Sequence, residues 1–269
     1  MVRASQTDPI RDLIIHEDDD ILVVSKPPGM LTSSGPRDER PTLWRIIQAR
    51  AVQQGWRKPM GIIHRLDRDA SGLLVFSKCD DAYQSLKKQF FRHTVERIYM
   101  AIVSGTPNPA EGTIDYYIDE WKDGTVHKTR QHGRGERAIS HYQTYSVTKK
   151  TALVRVKLET GRKHQIRVHL AGINHPILGD VLYHPHTKRG ATLMLVAKRL
   201  CFDHPRTGKR MEFELPLPEH MRQCLRDLGD QDPDGVKSGA GKKASKATDA
   251  VKDVESTKKT GGRGGRISR

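Results

Sequence analysis

The sequence predicts an α+β fold, a single domain on a large, mostly antiparallel mixed sheet flanked by helices and loops. Three observations lead there. Short β-branched runs are interspersed with helix-spaced apolar residues, without the regular strand–helix rhythm of a doubly wound sheet. Along Leu153–Leu158, apolar Val154, Val156 and Leu158 alternate with Arg155 and Lys157, as in a half-buried strand. Hydrophobic residues are 35% of 269, enough for a packed core, while 29% are charged and must cover the surface.

Residues 1–12 are polar and expected to be loose. Ile21-Leu22-Val23-Val24 reads as a strand, and Lys26-Pro27-Pro28-Gly29 then forces a turn. Thr42 is placed to cap a helix whose Leu43, Ile46 and Ile47 share a face. Gly72–Ser77 reads as a second, buried strand. A helix begins at Asp80 or Asp81 with Leu86 and Phe90 on its inner face, and Ile98–Val103 forms a third strand. Residues 105–137 are rich in Gly, Pro and charge, with Ile114–Ile118 the only clear strand candidate. Tyr142–Val147 and Leu153–Leu158, joined by Thr148-Lys149-Lys150, predict a hairpin. A short helix around 164–171, a strand at Leu193–Val196 and a closing helix at Pro218–Leu228 complete a domain of residues 1–228. Residues 229–269 lack aromatics and almost all large aliphatics. They bury too little apolar surface to offset ordering entropy and are expected to form a disordered, basic tail.

The formal net charge of +15 implies an anionic partner, nucleic acid or a membrane surface. No apolar run approaches a membrane span and no secretory signal is evident, so nucleic acid leads, with a basic tail on an ordinary enzyme as the alternative. Cys79, Cys201 and Cys224 are odd in number and form no C-x-x-C pair, the pattern of a reducing compartment without disulfide framework or zinc ribbon. His164 and His169 are five apart and do not stack on one helical face, and no H-E-x-x-H occurs. The histidines are read as RNA-facing or structural, and no metal is expected.

Three segments carry chemistry. His64-Arg65-Leu66-Asp67-Arg68-Asp69-Ala70-Ser71-Gly72 packs three cations and two carboxylates before a strand, so it must face solvent or a ligand. A carboxylate among cations stays ionised and can act as nucleophile or electrostatic stabiliser. Thr160-Gly161-Arg162-Lys163-His164-Gln165-Ile166-Arg167-Val168-His169-Leu170 leads from a glycine turn into a donor-rich helix start, suited to phosphate. In Arg97-Ile98-Tyr99-Met100-Ala101, a tyrosine sits within an apolar strand.

Together these segments resemble the ribosomal large-subunit type A (RluA) family of RNA pseudouridine synthases. The family's His-Arg-Leu-Asp with a following Ser/Thr-Gly pair is His64–Asp67 with Ser71-Gly72, and its Lys-Pro-x-Gly turn is Lys26–Gly29. Its Tyr-x-Ala-x-Val-x-Gly strand is Tyr99, Ala101, Val103 and Gly105. Its Thr-Gly-Arg-x-His-Gln-aliphatic-Arg-x-His segment is Thr160–His169, followed by His175–Asp180. The likeness spans about residues 13–228 and keeps the motif order. It implies Asp67 as nucleophile, Arg65 filling the RNA stack where the uridine leaves, and Tyr99 beside the uracil as a base for the ring proton. It implies Arg167 paired with the catalytic carboxylate and Ile166 packed near the base. His64, Arg162, His164 and Gln165 join Arg65 and Ile166 as expected substrate-binding residues. The implied reaction isomerises uridines of folded ribosomal or transfer RNA, needs no cofactor, and is assigned to a cytoplasmic monomer.

The chain departs from the pattern in three places. Ser71 stands where threonine is more usual, and Leu195-Val196-Ala197 stands where many relatives have a histidine. The small N-terminal RNA-binding module of many relatives is expected to be lacking. Two rival readings remain: a hydrolase at a glycosidic centre, with Asp69 as its second carboxylate, and an idle RNA-binding protein.

Overall fold

The computed structural model describes residues 8–229, apart from 9, 36–37, 57, 130–134 and 149. Residues 230–269 of the expected disordered tail, Lys149 of the hairpin turn and residues 1–7 lie outside the described residues. In chain order the elements are β1 (Ile14–Glu17), β2 (Ile21–Lys26), α1 (Leu43–Gln53), β3 (Gly61–Ile62), β4 (Ser71–Ser77), α2 (Asp80–Phe91), β5 (Glu96–Ser104) and β6 (Glu111–Glu120). There follow β7 (Val126–Thr129), β8 (Glu136–Val147), β9 (Thr151–Leu158), α3 (Gln165–Gly172), β10 (Leu195–Asp203), β11 (Arg210–Glu214) and α4 (Glu219–Asp227).

Among the described residues one sheet runs β1-β2-β4-β10-β5-β9-β8-β6-β7, with β11 on β10 and β3 on β4. Its neighbours are antiparallel except β4 and β10, which pair in parallel through Ser71↔Val196 and Gly72↔Ala197. Gly72 makes this junction possible. Its φ is +112°, and a Cβ there would sit 2.3 Å from the Ala197 carbonyl oxygen. The loop carrying Asp67 therefore enters the sheet where its two antiparallel halves meet.

Alternation along β5 divides two cores. Tyr99, Ala101 and Val103 face the cluster that holds Ile47 of α1 and Ile166 and Leu170 of α3. Met100 and Ile102 face Met221 and Leu225 of α4 on the other side. A third cluster packs Leu86 of α2 on Val75 and Phe202. Thr42 caps α1 as expected, its hydroxyl accepting the Arg45 N–H at 3.2 Å. Looseness at the N-terminus fails from Ile10 onward, because Ile10 is 1% exposed and Arg11–Leu13 forms a 3-10 turn. The strands β1, β3, β7 and β11 were not foreseen.

Candidate active site

Asp67 lies on the loop between β3 and β4, and Thr32 fixes its neighbour. The buried Thr32 hydroxyl donates to the Leu66 carbonyl at 2.9 Å and accepts the Leu66 N–H at 3.2 Å. Lys26 closes the other side. Its fully buried ammonium donates to the carbonyls of Pro27, Met30 and Arg68, at 2.8–2.9 Å, tying the proline turn to the loop. Burial pushes the Lys26 pKa down to about 8, with Asp69 and Asp67 opposing that fall.

Arg167 comes from α3. Its Nε and Nη2 each donate at 2.8 Å to the Asp180 carboxylate, which is wholly buried. Its Nη1 donates to Asp67 Oδ2 at 3.3 Å. Burial works against the Arg167 charge, but Asp180 and then Asp67 outweigh it and raise its pKa. Asp180 also accepts the Leu182 and Tyr183 N–H groups, so its oxygens are occupied. The Asp67 side chain keeps 22% of its surface exposed and can reach a ligand. The Arg167 guanidinium also lies over the Tyr183 ring, 5.1 Å from its centroid.

Tyr99 points into the same site. Burial raises its pKa, Arg97 lowers it and Asp67 raises it further, so its hydroxyl rests protonated. His164 begins α3 with a left-handed backbone, and its Nδ1 lies 2.8 Å from the Tyr183 hydroxyl, which accepts the Val126 N–H. Burial lowers the His164 pKa, and Asp67 is the first charge opposing it. Ile166 is buried in the core beside Tyr99. An open cleft of about 300 Å³ adjoins, lined by Gly29, Arg68, Asp69, Arg167, Gly179 and Leu193 among others.

Two expected substrate contacts turn inward. Gln165 is buried and fully engaged: Oε1 accepts from the Thr160 hydroxyl and the Arg162 N–H, and Nε2 donates to Ile139 O and Ser140 Oγ. It staples the 160–164 loop to β8, with no polar atom left for RNA. The His64 ring stacks on Phe90 with centroids 4.8 Å apart, and its Nε2 accepts the Val75 N–H at 3.4 Å. Burial, with Arg97 and Lys87 adding, pushes its pKa down to about 3, so the ring is neutral. Arg65 and Arg162 are exposed. Arg162 pairs with Glu136 at 2.6 Å, whereas Arg65 has no ion-pair partner among the described residues.

Lys26, Thr32 and Asp180 were not singled out from the sequence. Asp180 and Lys26 stand inside quoted motifs, but only three-dimensional proximity shows what they hold. Asp18, Asp20 and His204 group with the chemistry of metal ligands. Their atoms are taken up by one another, by His16 and by Arg206, which forks onto Asp20 at 2.6 and 2.7 Å.

Comparison with known proteins shows the family. Residues 20–172 match the family model described as RNA pseudouridylate synthase. The chain is 40% identical over 220 residues to the RNA pseudouridine synthase YlyB of Bacillus subtilis, covering 80% of this chain and 72% of that protein. It is 35% identical over 233 residues to ribosomal large subunit pseudouridine synthase D of Zymomonas mobilis, with the same coverage. The human RNA pseudouridylate synthase domain containing 4 superposes with a TM-score of 0.70 at 26% identity, over 82% of this chain and 94% of that one. The chain thus belongs to the RluA-type family of RNA pseudouridine synthases, enzymes that isomerise uridine in RNA to pseudouridine.

Proposed function

We propose that Asp67 is the nucleophile that attacks a uridine of ribosomal or transfer RNA. The carrying observation is the division of labour around Arg167. Buried Asp180 fixes two of its nitrogens, leaving the third for Asp67, the partly exposed carboxylate of the three-residue cluster. In the reaction Asp67 bonds to C1′ as the C1′–N1 bond breaks, and the base turns. C5 then displaces the carboxylate, forming the C1′–C5 bond and returning Asp67 free. The C5 proton leaves and N1 gains a proton. No group is added and no electrons are exchanged. Tyr99 relays the C5 proton. Its hydroxyl, protonated at rest, gives its own proton to solvent as it takes the one from C5, and N1 takes one proton back from solvent, so the count closes. Arg65, exposed and unpaired among the described residues, fills the stack left by the flipped base, a step that costs roughly a few kcal/mol.

The formal net charge of +15 supports RNA as the substrate. Exposed Trp121 packs tilted against His127, 4.2 Å between centroids, on the β6–β7 hairpin, where Lys122 and Lys128 alternate with Asp119, Glu120 and Asp123. Relatives named for the ribosomal large subunit support ribosomal RNA as the first target to examine. The hydrolase reading has little support, because Asp69 is engaged by Arg68 at 2.9 and 3.1 Å. We read the enzyme as a cytoplasmic monomer, consistent with three free thiols. Pseudouridine mapping of total RNA from cells with and without the gene tests the assignment. Loss of signal at defined ribosomal or transfer RNA positions is expected, and identical maps would contradict it.

A further inference from the structure

The C-terminal turn of α2 presents an unusual surface beside the Asp67 loop. Phe90 faces inward against His64, which leaves Phe91, the last helical residue, pointing outward at 84% exposure. Among the described residues no other large hydrophobic side chain is so exposed. A lone exposed phenylalanine would carry nothing, because scattered surface apolar residues are ordinary. Its surroundings set this one apart.

From Ala82 to Val95 the chain has no acidic residue, while Lys87, Lys88, Arg92 and His93 fall within one turn of Phe91. Elsewhere, arginines are commonly neutralised by carboxylates: Arg50 by Asp8 and Glu17, Arg137 by Asp115, Arg199 by Glu212 and Arg206 by Asp20. Lys88, Arg92 and Arg65 have no such partner among the described residues. An aromatic face within uncompensated cations is the chemistry that holds single-stranded nucleic acid, with bases stacked on the ring and phosphates on the charges.

The turn is also fixed to the site. The His64–Phe90 stack joins it to the loop bearing Asp67, Lys87 Nζ donates to the Ile63 carbonyl at 3.4 Å, and His93 Nδ1 contacts the Glu159 carbonyl at 2.6 Å. Three residues of extended chain from His64 to Asp67 span at most about 10 Å, a reach of a few nucleotides.

We propose that this turn is a second RNA contact, with Phe91 as the stacking platform for an unpaired base near the target uridine and Lys88 and Arg92 holding the adjacent phosphates. This rests on the RNA-modifying reading above and narrows its substrate class to RNA unpaired beside the target. Phe91 is a specificity-determining residue here and takes no part in the chemistry.

The test uses the full chain and a fluorescein-labelled hairpin RNA with a loop of uridines, against the same hairpin with an abasic loop. Phe91→Ala is expected to weaken binding of the uridine-loop hairpin by roughly tenfold and to leave the abasic hairpin nearly unaffected. Phe91→Trp should retain wild-type affinity for both. The paired substitution Lys88→Gln and Arg92→Gln should weaken both hairpins and flatten the salt dependence. Identical affinity of wild type and Phe91→Ala for the uridine loop would overturn the proposal. So would equal weakening on both hairpins, or a change in sedimentation of the RNA-free Phe91→Ala protein, which would make the surface an interface between copies. Failure of the RNA-modifying reading is a separate result: the wild-type protein would then leave the pseudouridine map of cellular RNA unchanged.

Discussion

Arg167 Nη1 lies 3.3 Å from Asp67 Oδ2 while the other side of the guanidinium is forked onto Asp180 at 2.8 Å. The longer contact belongs to the residue assigned the chemistry, and the shorter pair belongs to its anchor. Arg167→Lys keeps the charge but cannot make the planar two-pronged contact. It is expected to cut turnover strongly with little loss of RNA affinity. Asp180→Asn unpairs a buried charge and should destabilise the fold by about 3–5 kcal/mol. Denaturant titration and single-turnover kinetics separate the two effects, and wild-type turnover in Arg167→Lys would remove the orienting role.

Thr32 is a positioning residue. Thr32→Val keeps the shape and deletes both hydrogen bonds to Leu66. It should cost about 1–3 kcal/mol of stability and lower turnover by about 10- to 100-fold through misplacement of Asp67. Thr32→Ser should restore both. If Thr32→Val lost only stability and kept full turnover, the loop would not depend on this contact.

Much of this arrangement was readable in advance, and the gaps have physical causes. The Thr42 cap and the alternation along β9 are local signals, and the structure bears both out. In β7 only Val126–Thr129 is extended, too short for alternation to register, and β1 is equally brief. β11 does alternate, with Met211 and Phe213 between charged residues, but over only five residues. The β4–β10 junction depends on residues more than a hundred positions apart, which no local pattern encodes. The inward placement of Gln165 and of the His64 ring is not legible either, because a motif records residue types and not the directions side chains take. The same holds for Asp180, whose hold on Arg167 only the fold reveals.

Lys26 gives the stability a pH signature. Its folded-state pKa of about 8 lies below its ordinary value of 10.5. Between these values the unfolded chain binds more protons than the folded one, so this contribution to stability rises with pH. The burial penalty is fully present below about pH 8 and is relieved as pH climbs toward 10.5. Lys26→Met should be less stable at neutral pH, having abandoned three carbonyls, and should show a shallower rise between pH 8 and 10.5. Parallel stability–pH curves for the two proteins would contradict this.

Tyr99→Phe retains the ring and the packing against Val156 and Ile166 but loses the hydroxyl. Product formation is expected to be slow or arrested with near-normal RNA affinity. Turnover at the wild-type rate would leave Tyr99 only a packing role.

The most direct measurement is pseudouridine formation by Asp67→Asn. The substitution is nearly isosteric, and Arg167 keeps its fork on Asp180, so folding and RNA binding should survive. Quantified on RNA from cells lacking the gene, wild-type protein is predicted to restore pseudouridine at its target positions, and Asp67→Asn to restore essentially none while still binding that RNA. Appreciable product from Asp67→Asn would contradict the assignment of Asp67 as the nucleophile.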